Sequence, residues 1–264
     1  MGMRDFDHTI ITRFNVEADP SRGIVMPERG PPDAFRIKRD VHLDDGWLES
    51  RLDLFARFCA PSVAAQSSRE FTWIVAVDAK TPGSFVARLS KAAPLAVIVR
   101  TGPDWRPAVI ESLHGKRARA VTTRLDSDDA IHRDFVARVG NTVEAEGGVD
   151  YVVACRAHYV LEASTMVLKQ AWVASPACLC FVERAGNLTS VYKLGHVRLV
   201  ERSRVVPLDF ASWLRVVHSD NAFQKRVSGC IVEGNSFEIL HAKFNIIDPS
   251  VGISRGGSDR PRSV

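Results

Sequence analysis

The stretch Val121-Thr-Thr-Arg-Leu-Asp-Ser-Asp-Asp129 decides how this chain is read. A β-branched run ends in three carboxylates within four residues. An amphipathic segment, Ile131-His-Arg-Asp-Phe-Val-Ala-Arg-Val139, follows at once. Asp is a poor strand former, and acids this close repel one another. A cation is the usual reason for such a cluster at a strand's C-terminal edge, and ligands of α/β sheets bind beyond those edges. An Asp-x-Asp there, facing an open site, suits a divalent metal held against a diphosphate. The plainer alternative is a helix N-terminus, with Ser127 or Asp128 as N-cap and the acids favoured by the helix dipole. The two are compatible, since one Asp can cap while another binds the ion.

Outward from this stretch the pattern alternates. Thr9–Phe14 reads as a strand, and residues 18–44, rich in Pro, Gly and charge, as a loop. Trp47 to Ala65 carries apolar residues at Leu48, Leu52, Phe55, Phe58 and Cys59, the spacing of an amphipathic helix. Phe71–Val77 is a near-continuous apolar run, as in a strand buried on both faces. A helix is expected over Pro82–Ala92, a strand over Leu95–Val99, a short helix near Ala108–Leu113 and a strand over Ala118–Leu125. After a helix at 131–145 comes a fifth strand, Asp150–Cys155. Such spacing predicts right-handed βαβ crossovers, hence an α/β, Rossmann-like, mostly parallel central sheet with helices on both faces. In the C-terminal half, Tyr159–Lys169, Cys178–Glu183 and Ser190–Tyr192 read as shorter strands of a mixed smaller sheet, and Phe210–Val217 as a helix. From Asp248 onward the Pro/Gly/Ser/Arg-rich tail, 248–264, is expected to be disordered.

Composition restricts the class. Of the 264 residues 45% are hydrophobic and 25% charged, ordinary for a globular protein. No apolar run approaches the ~18–20 residues that cross a bilayer. The polar N-terminus lacks a signal-peptide core, so a cytoplasmic location is expected. Peripheral contact with the inner membrane surface is left open. Five irregularly spaced cysteines fit a reducing compartment. The net charge of +4 is mild and the basic residues are not interleaved with aromatics, which speaks against nucleic-acid binding. No Gly-x-Gly-x-x-Gly, P-loop or Gly-x-Ser-x-Gly follows any strand.

Several segments together resemble the rhamnosyltransferase family, within the glycosyltransferases of A-type fold. They are Ile11-Thr-Arg-Phe-Asn15; the helix Arg51…Leu54-Phe55…Phe58-Cys59…Pro61-Ser62-Val63…Gln66; and Phe71-Thr-Trp73…Asp78…Thr81-Pro82. Thr122–Asp129 with Asp134-Phe135, and Trp213…Val217-His218…Asn221, complete the set. The resemblance covers residues 8–225. It implies a single domain over 1–247, with a nucleotide-binding half (1–145) and an acceptor-side half (146–247). It also implies a nucleotide-sugar donor, a glycan or glycolipid acceptor, and Mn²⁺ or Mg²⁺ as cofactor. Asp126 and Asp128 match the Asp-x-Asp positions, with Asp129 close by, and Asp78 either stands where base or ribose contacts are made or forms the turn before Thr81-Pro82.

Other candidates come from the residues themselves. Arg13 interrupts its strand with a charge and can reach a nucleotide or diphosphate, or lie at the surface. Arg124 should face opposite to Leu125 and either pair with an Asp or touch the cofactor. Trp105, in a Pro-flanked loop, is a candidate stacking surface. His218 is a candidate third metal ligand or diphosphate contact, which Asn221 or Asp220 could join, or a helix-terminal His satisfying carbonyls. A general base for the acceptor hydroxyl is sought in Glu183, which closes an apolar strand, and then in Asp220. Arg156 and His158 are candidates for the acceptor side. Two other classes compete: a nucleotidyltransferase, disfavoured because Arg13-Phe-Asn-Val-Glu17 lacks glycine, and a non-catalytic binding module.

Overall fold

The β-branched run before the acids forms a strand, and the other elements assemble around it. The computed structural model describes residues 4–16, 41–102, 104–113, 117–174, 176–218 and 229–247. Strand β1 (Phe6–Arg13) is followed by helix α1 (Asp45–Leu54), whose N-cap Asp44 accepts the Trp47 amide at 3.0 Å. A π-helical turn, Phe55–Cys59, carries α1 into α2 (Ala60–Ala64). Next come β2 (Thr72–Asp78), α3 (Gly83–Ala92), β3 (Ala96–Thr101), α4 (Trp105–Glu111) and β4 (Arg119–Asp126). The two-residue β5 (Ala130–Ile131) precedes α5 (Phe135–Glu146), β6 (Tyr151–Ala154), β7 (Ala157–Glu162), β8 (Val167–Trp172) and β9 (Leu179–Arg184). Then follow α6 (His196–Glu201), β10 (Arg204–Pro207), β11 (Trp213–Val217), β12 (Cys230–Ile231) and α7 (Ser236–Phe244).

Seven of these strands form one sheet in the order β10-β6-β9-β4-β1-β2-β3, parallel except for β9. Both faces are covered, so its central strands read as near-continuous apolar runs. On one face Ile10, Trp73, Val75, Val121 and Leu125 pack against α1, α3 and α5 through Leu48, Leu52, Leu89, Phe135 and Val139. On the other, Ile11, Ile74, Ala76 and Phe181 meet Trp105 and Val109 of α4 and Leu199 of α6. A second, mixed sheet runs β12-β8-β7-β11-β5 and packs with α7 through Leu161, Leu214, Val216, Leu240 and Phe244. The chain passes from the first sheet to the second within Ser127–Asp129, the turn between β4 and β5.

Some expectations are corrected. Phe210–Val217 is not a helix: Trp213–Val217 is strand β11, parallel to β7 and antiparallel to β5. Its apolar residues at 210, 213, 214 and 217 imitate helical spacing. A short strand buried on both faces has no period-2 signature to distinguish it. Ser190–Tyr192 belongs to a turn region rather than a strand, with Ser190 at φ 66°. Tyr159–Lys169 divides into the β7–β8 hairpin at Ala163–Met166, where Met166 takes φ 57°. The tail expected to be disordered from 248 lies outside the described residues.

Candidate functional site

Register brings the first pair together. Arg13 is the last residue of β1 and lies beside Asp126, the last of β4. Arg13 Nη2 is 3.5 Å from Asp126 Oδ1. Arg124, two residues earlier on the same face of β4, reaches Asp126 with Nε (3.2 Å) and with Nη2 (3.1 Å to Oδ2). Both guanidinium groups lie over the ring of Tyr192, at 5.2 Å and 5.6 Å. Trp105 meets that ring edge-on at 4.8 Å. Cation–π contact of this kind fixes where the charges sit. Partial burial would raise the Asp126 carboxyl, but Arg124 and Arg13 outweigh it and hold it well below the usual carboxylate range.

Asp128 lies two residues further along the turn. Its Oδ2 accepts from Arg51 Nη1 at 2.7 Å and lies 2.9 Å from His218 Nε2, at the end of β11. Burial opposes ionisation here too, yet His218 and Arg51 lower its pKa. Asp129 points into the protein. Its oxygens accept from Trp213 Nε1 at 2.9 Å and from the Val216 amide at 3.1 Å. Burial, with the charges of Asp128 and Asp126, pushes its pKa well up. So Asp129 pins the turn to β11 and is turned away from the face that Asp126 offers.

His196, at the start of α6, lies with its Nδ1 3.2 Å from Arg124 Nη1. Arginine can only donate, so Nδ1 is the acceptor and the proton sits on Nε2. Burial and the Arg124 charge bring its pKa down to about 4, which keeps the ring neutral near pH 7. His196 is thus a donor at this site, not a base.

Among the described residues no group of three His, Cys, Asp or Glu side chains is arranged to hold a metal ion. The chemistry of the donors suits a smaller demand. Asp128 and His218 converge, and Asp126 lies 28% exposed at the end of the same turn. Mg²⁺ takes one or two carboxylates and fills its shell with phosphate oxygens and water. The residues fit a cation shared with a phosphate better than a cage made by protein alone.

Compared with known proteins, residues 7–229 match the family described as "Putative rhamnosyl transferase". The chain belongs to this family. A search of curated proteins returned no match. Among solved structures it is similar to residues 1–349 of S. aureus TarS, at 12% identity and a TM-score of 0.43, over 80% of this chain and 60% of that one. The same TarS fragment in complex with UDP gives 13% identity and a TM-score of 0.44, with 80% and 60% covered. A "putative nucleotide-diphospho-sugar transferase" from Desulfovibrio desulfuricans gives 11% and 0.35, with 81% of each chain covered. The chain thus spans about 60% of the TarS fragment.

In this family member Arg13, Arg124, Asp126, Asp128, Asp129 and His218 are brought to one turn. Asp78 ends β2 on the same edge, two strands and roughly 10 Å from Asp126 at the usual strand spacing. It accepts from the Lys80 amide at 2.7 Å, and its Oδ2 is 3.1 Å from His42 Nε2. Trp105 does not present a stacking face: it is buried, with Arg13 6.0 Å above its ring. Glu183 is elsewhere. It pairs with Ala120 near the start of β4, roughly 20 Å from Asp126 at ~3.3 Å per residue. There its oxygens accept from Thr189 N, Thr189 Oγ1 and Ser190 N, all at 2.8 Å, closing a turn. His158 is buried against Trp213, the rings stacked at 4.7 Å, while Arg156 is exposed. Asp220 and Asn221 lie outside the described residues. A cavity of about 290 Å³ lined by Arg4, Asp7, Thr72 and Arg117, among others, opens at the opposite edge of the sheet and is not lined by Asp126, Asp128 or Asp129.

Sequence reading assigned no role to Arg51, Tyr192 or His196. Arg51 did leave a signal: it falls three residues after Leu48, on the inward stripe of α1, where a charge needs a partner. Tyr192 and His196 left none.

Proposed function

We propose that the chain is a glycosyltransferase. It would move a sugar, rhamnose being the one its family description suggests, from a nucleotide-sugar donor to a hydroxyl of a glycan or lipid-linked acceptor. One observation carries this reading: Arg13, Asp126, Asp128 and His218 gather beyond the carboxyl ends of β1 and β4, where ligands of α/β sheets bind. Asp128 and His218, with Asp126, would hold Mn²⁺ or Mg²⁺. Held there, such a cation would offset the charge gained by the departing diphosphate. Arg13 and Arg124 add positive charge on the other side of Asp126, and the His196 Nε2 proton is available to an oxygen acceptor. Asp78 is the contact for ribose or base at the neighbouring strand end. As general base we keep Asp220, two residues after His218 in the sequence, since Glu183 is committed to its turn.

The test is calorimetric titration with a panel of nucleoside diphosphates and nucleotide sugars, with Mn²⁺ and with EDTA. Binding should require Mn²⁺, and Asp128→Ala should weaken it at least about tenfold, a loss of ~1.4 kcal/mol. If no nucleotide binds under either condition, the reading fails.

A further inference from the structure

Arg51 occupies an unusual position for a charge. Its neighbours on α1, Leu48 and Leu52, are buried, and its guanidinium carbon lies 5.1 Å from the Trp47 ring centroid. The side chain is 19% exposed. Nη1 donates to Asp128 Oδ2, the oxygen that also faces His218 Nε2. A cation taken up between Asp128 and His218 meets a guanidinium already seated on the oxygen that faces both. A flat ion stacked on an aromatic ring suits that seat, because arginine stays charged and is weakly hydrated.

We propose that Arg51 is the protein's own counter-ion for Asp128, one that a divalent cation has to displace. The released guanidinium needs an anion, and a diphosphate arriving with the cation supplies it. Cation and diphosphate then bind with positive coupling, each weak alone. This rests on the donor-site reading above and adds to it which residue enforces joint binding. Coupling of this kind is reciprocal and typically worth about 5- to 150-fold.

The experiment is a Mn²⁺ titration of the full chain, followed by electron paramagnetic resonance, without nucleotide and with inorganic pyrophosphate. Wild type is compared with Arg51→Gln, folding being checked by circular dichroism. Arg51→Gln should bind Mn²⁺ alone about 5- to 150-fold more tightly than wild type, and pyrophosphate should improve its affinity less. Equal or weaker Mn²⁺ binding by the variant overturns the counter-ion role while leaving the donor site standing. Absence of Mn²⁺ binding in both proteins, with or without pyrophosphate, overturns the donor-site reading and this one with it. A second measurement needs no neutral variant: the side-chain ¹⁵N signal of Arg51, assigned by its loss in Arg51→Lys, should shift when wild type is saturated with Mg²⁺. An unmoved signal overturns the proposal.

Discussion

Asp129 takes two N–H groups from β11, whereas Asp126 is flanked by Arg13 and Arg124, and Asp128 by Arg51 and His218. Three acids in four residues coexist because Asp126 is held ionised by its two arginines, Asp128 by His218 and Arg51, and the third is shifted toward its neutral form. A residue-scale prediction follows from the third. Trp213→Phe keeps the aromatic packing but removes the Nε1 donor, leaving Asp129 Oδ2 short of a partner in a buried site. It should cost about 1–3 kcal/mol, read from urea denaturation; a loss below ~0.5 kcal/mol would mean the clamp contributes little. Asp129→Asn sets its NH₂ against one of two donors and should fall in the same range. The acids themselves were legible in the sequence, because an Asp-rich strand end is chemically conspicuous. Which of them faces a ligand was not, since that depends on β11, more than eighty residues away.

The elements most readable from the sequence are those with long, strong periodicity: β2, α3, β4 and α5 lie within a few residues of expectation. Short pieces held by pairing, such as β5, β10 and β12, carry too few residues for any period to show. The segments that carried the family resemblance prove to be joints between elements. Asn15 donates to Thr81 Oγ1 at 2.8 Å and accepts the Asp78 amide at 3.2 Å, tying the end of β1 to that of β2. Gln66 donates to the carbonyl of His132 at 2.8 Å and accepts the amide of Val136 at 2.9 Å, anchoring the start of α5. A prediction at this scale concerns β12. A Cβ on Gly229 would lie 2.6 Å from the carbonyl oxygen of Gln170, a backbone atom that cannot turn aside. Gly229→Ala should loosen β12 from β8, and amide exchange at Val232, which bonds Leu168 O at 3.0 Å, should accelerate at least about tenfold, ~1.4 kcal/mol of local stability. Unchanged exchange there would show that the edge accommodates the methyl group.

At the scale of the whole molecule, two histidines, His8 and His158, are buried in neutral form. Burial brings His8 down to about 3 and His158 to about 4, both from 6.5. The unfolded chain takes up these protons near pH 6.5 and the folded chain does not, so the stability they preserve is complete above that pH. It is lost as pH falls from 6.5 toward 4 for His158 and toward 3 for His8. Between pH 6.5 and 5 the loss should be roughly 2 kcal/mol for each of these two side chains. Denaturant midpoints at pH 7 and pH 5 measure it, and a flat profile would contradict their neutral burial. Among the described residues no helix is long and apolar enough to cross a membrane.

The turn Ser127–Asp129 has one more consequence, for the lengths this chain can tolerate. On one side β4 is locked to β1 residue by residue, and on the other β5 is locked to β11. Because side chains alternate along a strand, one residue added between Asp126 and Ala130 would turn Ala130 and Ile131 over, forcing the larger Ile131 into the cluster that Ala130 fills and leaving a void where Ile131 packs. The same insertion would swing Asp128 away from Arg51 and His218. Natural variation in this protein should therefore change the identity of residues in the turn far more readily than their number, and sequencing of randomised insertion libraries would show a gap at these positions.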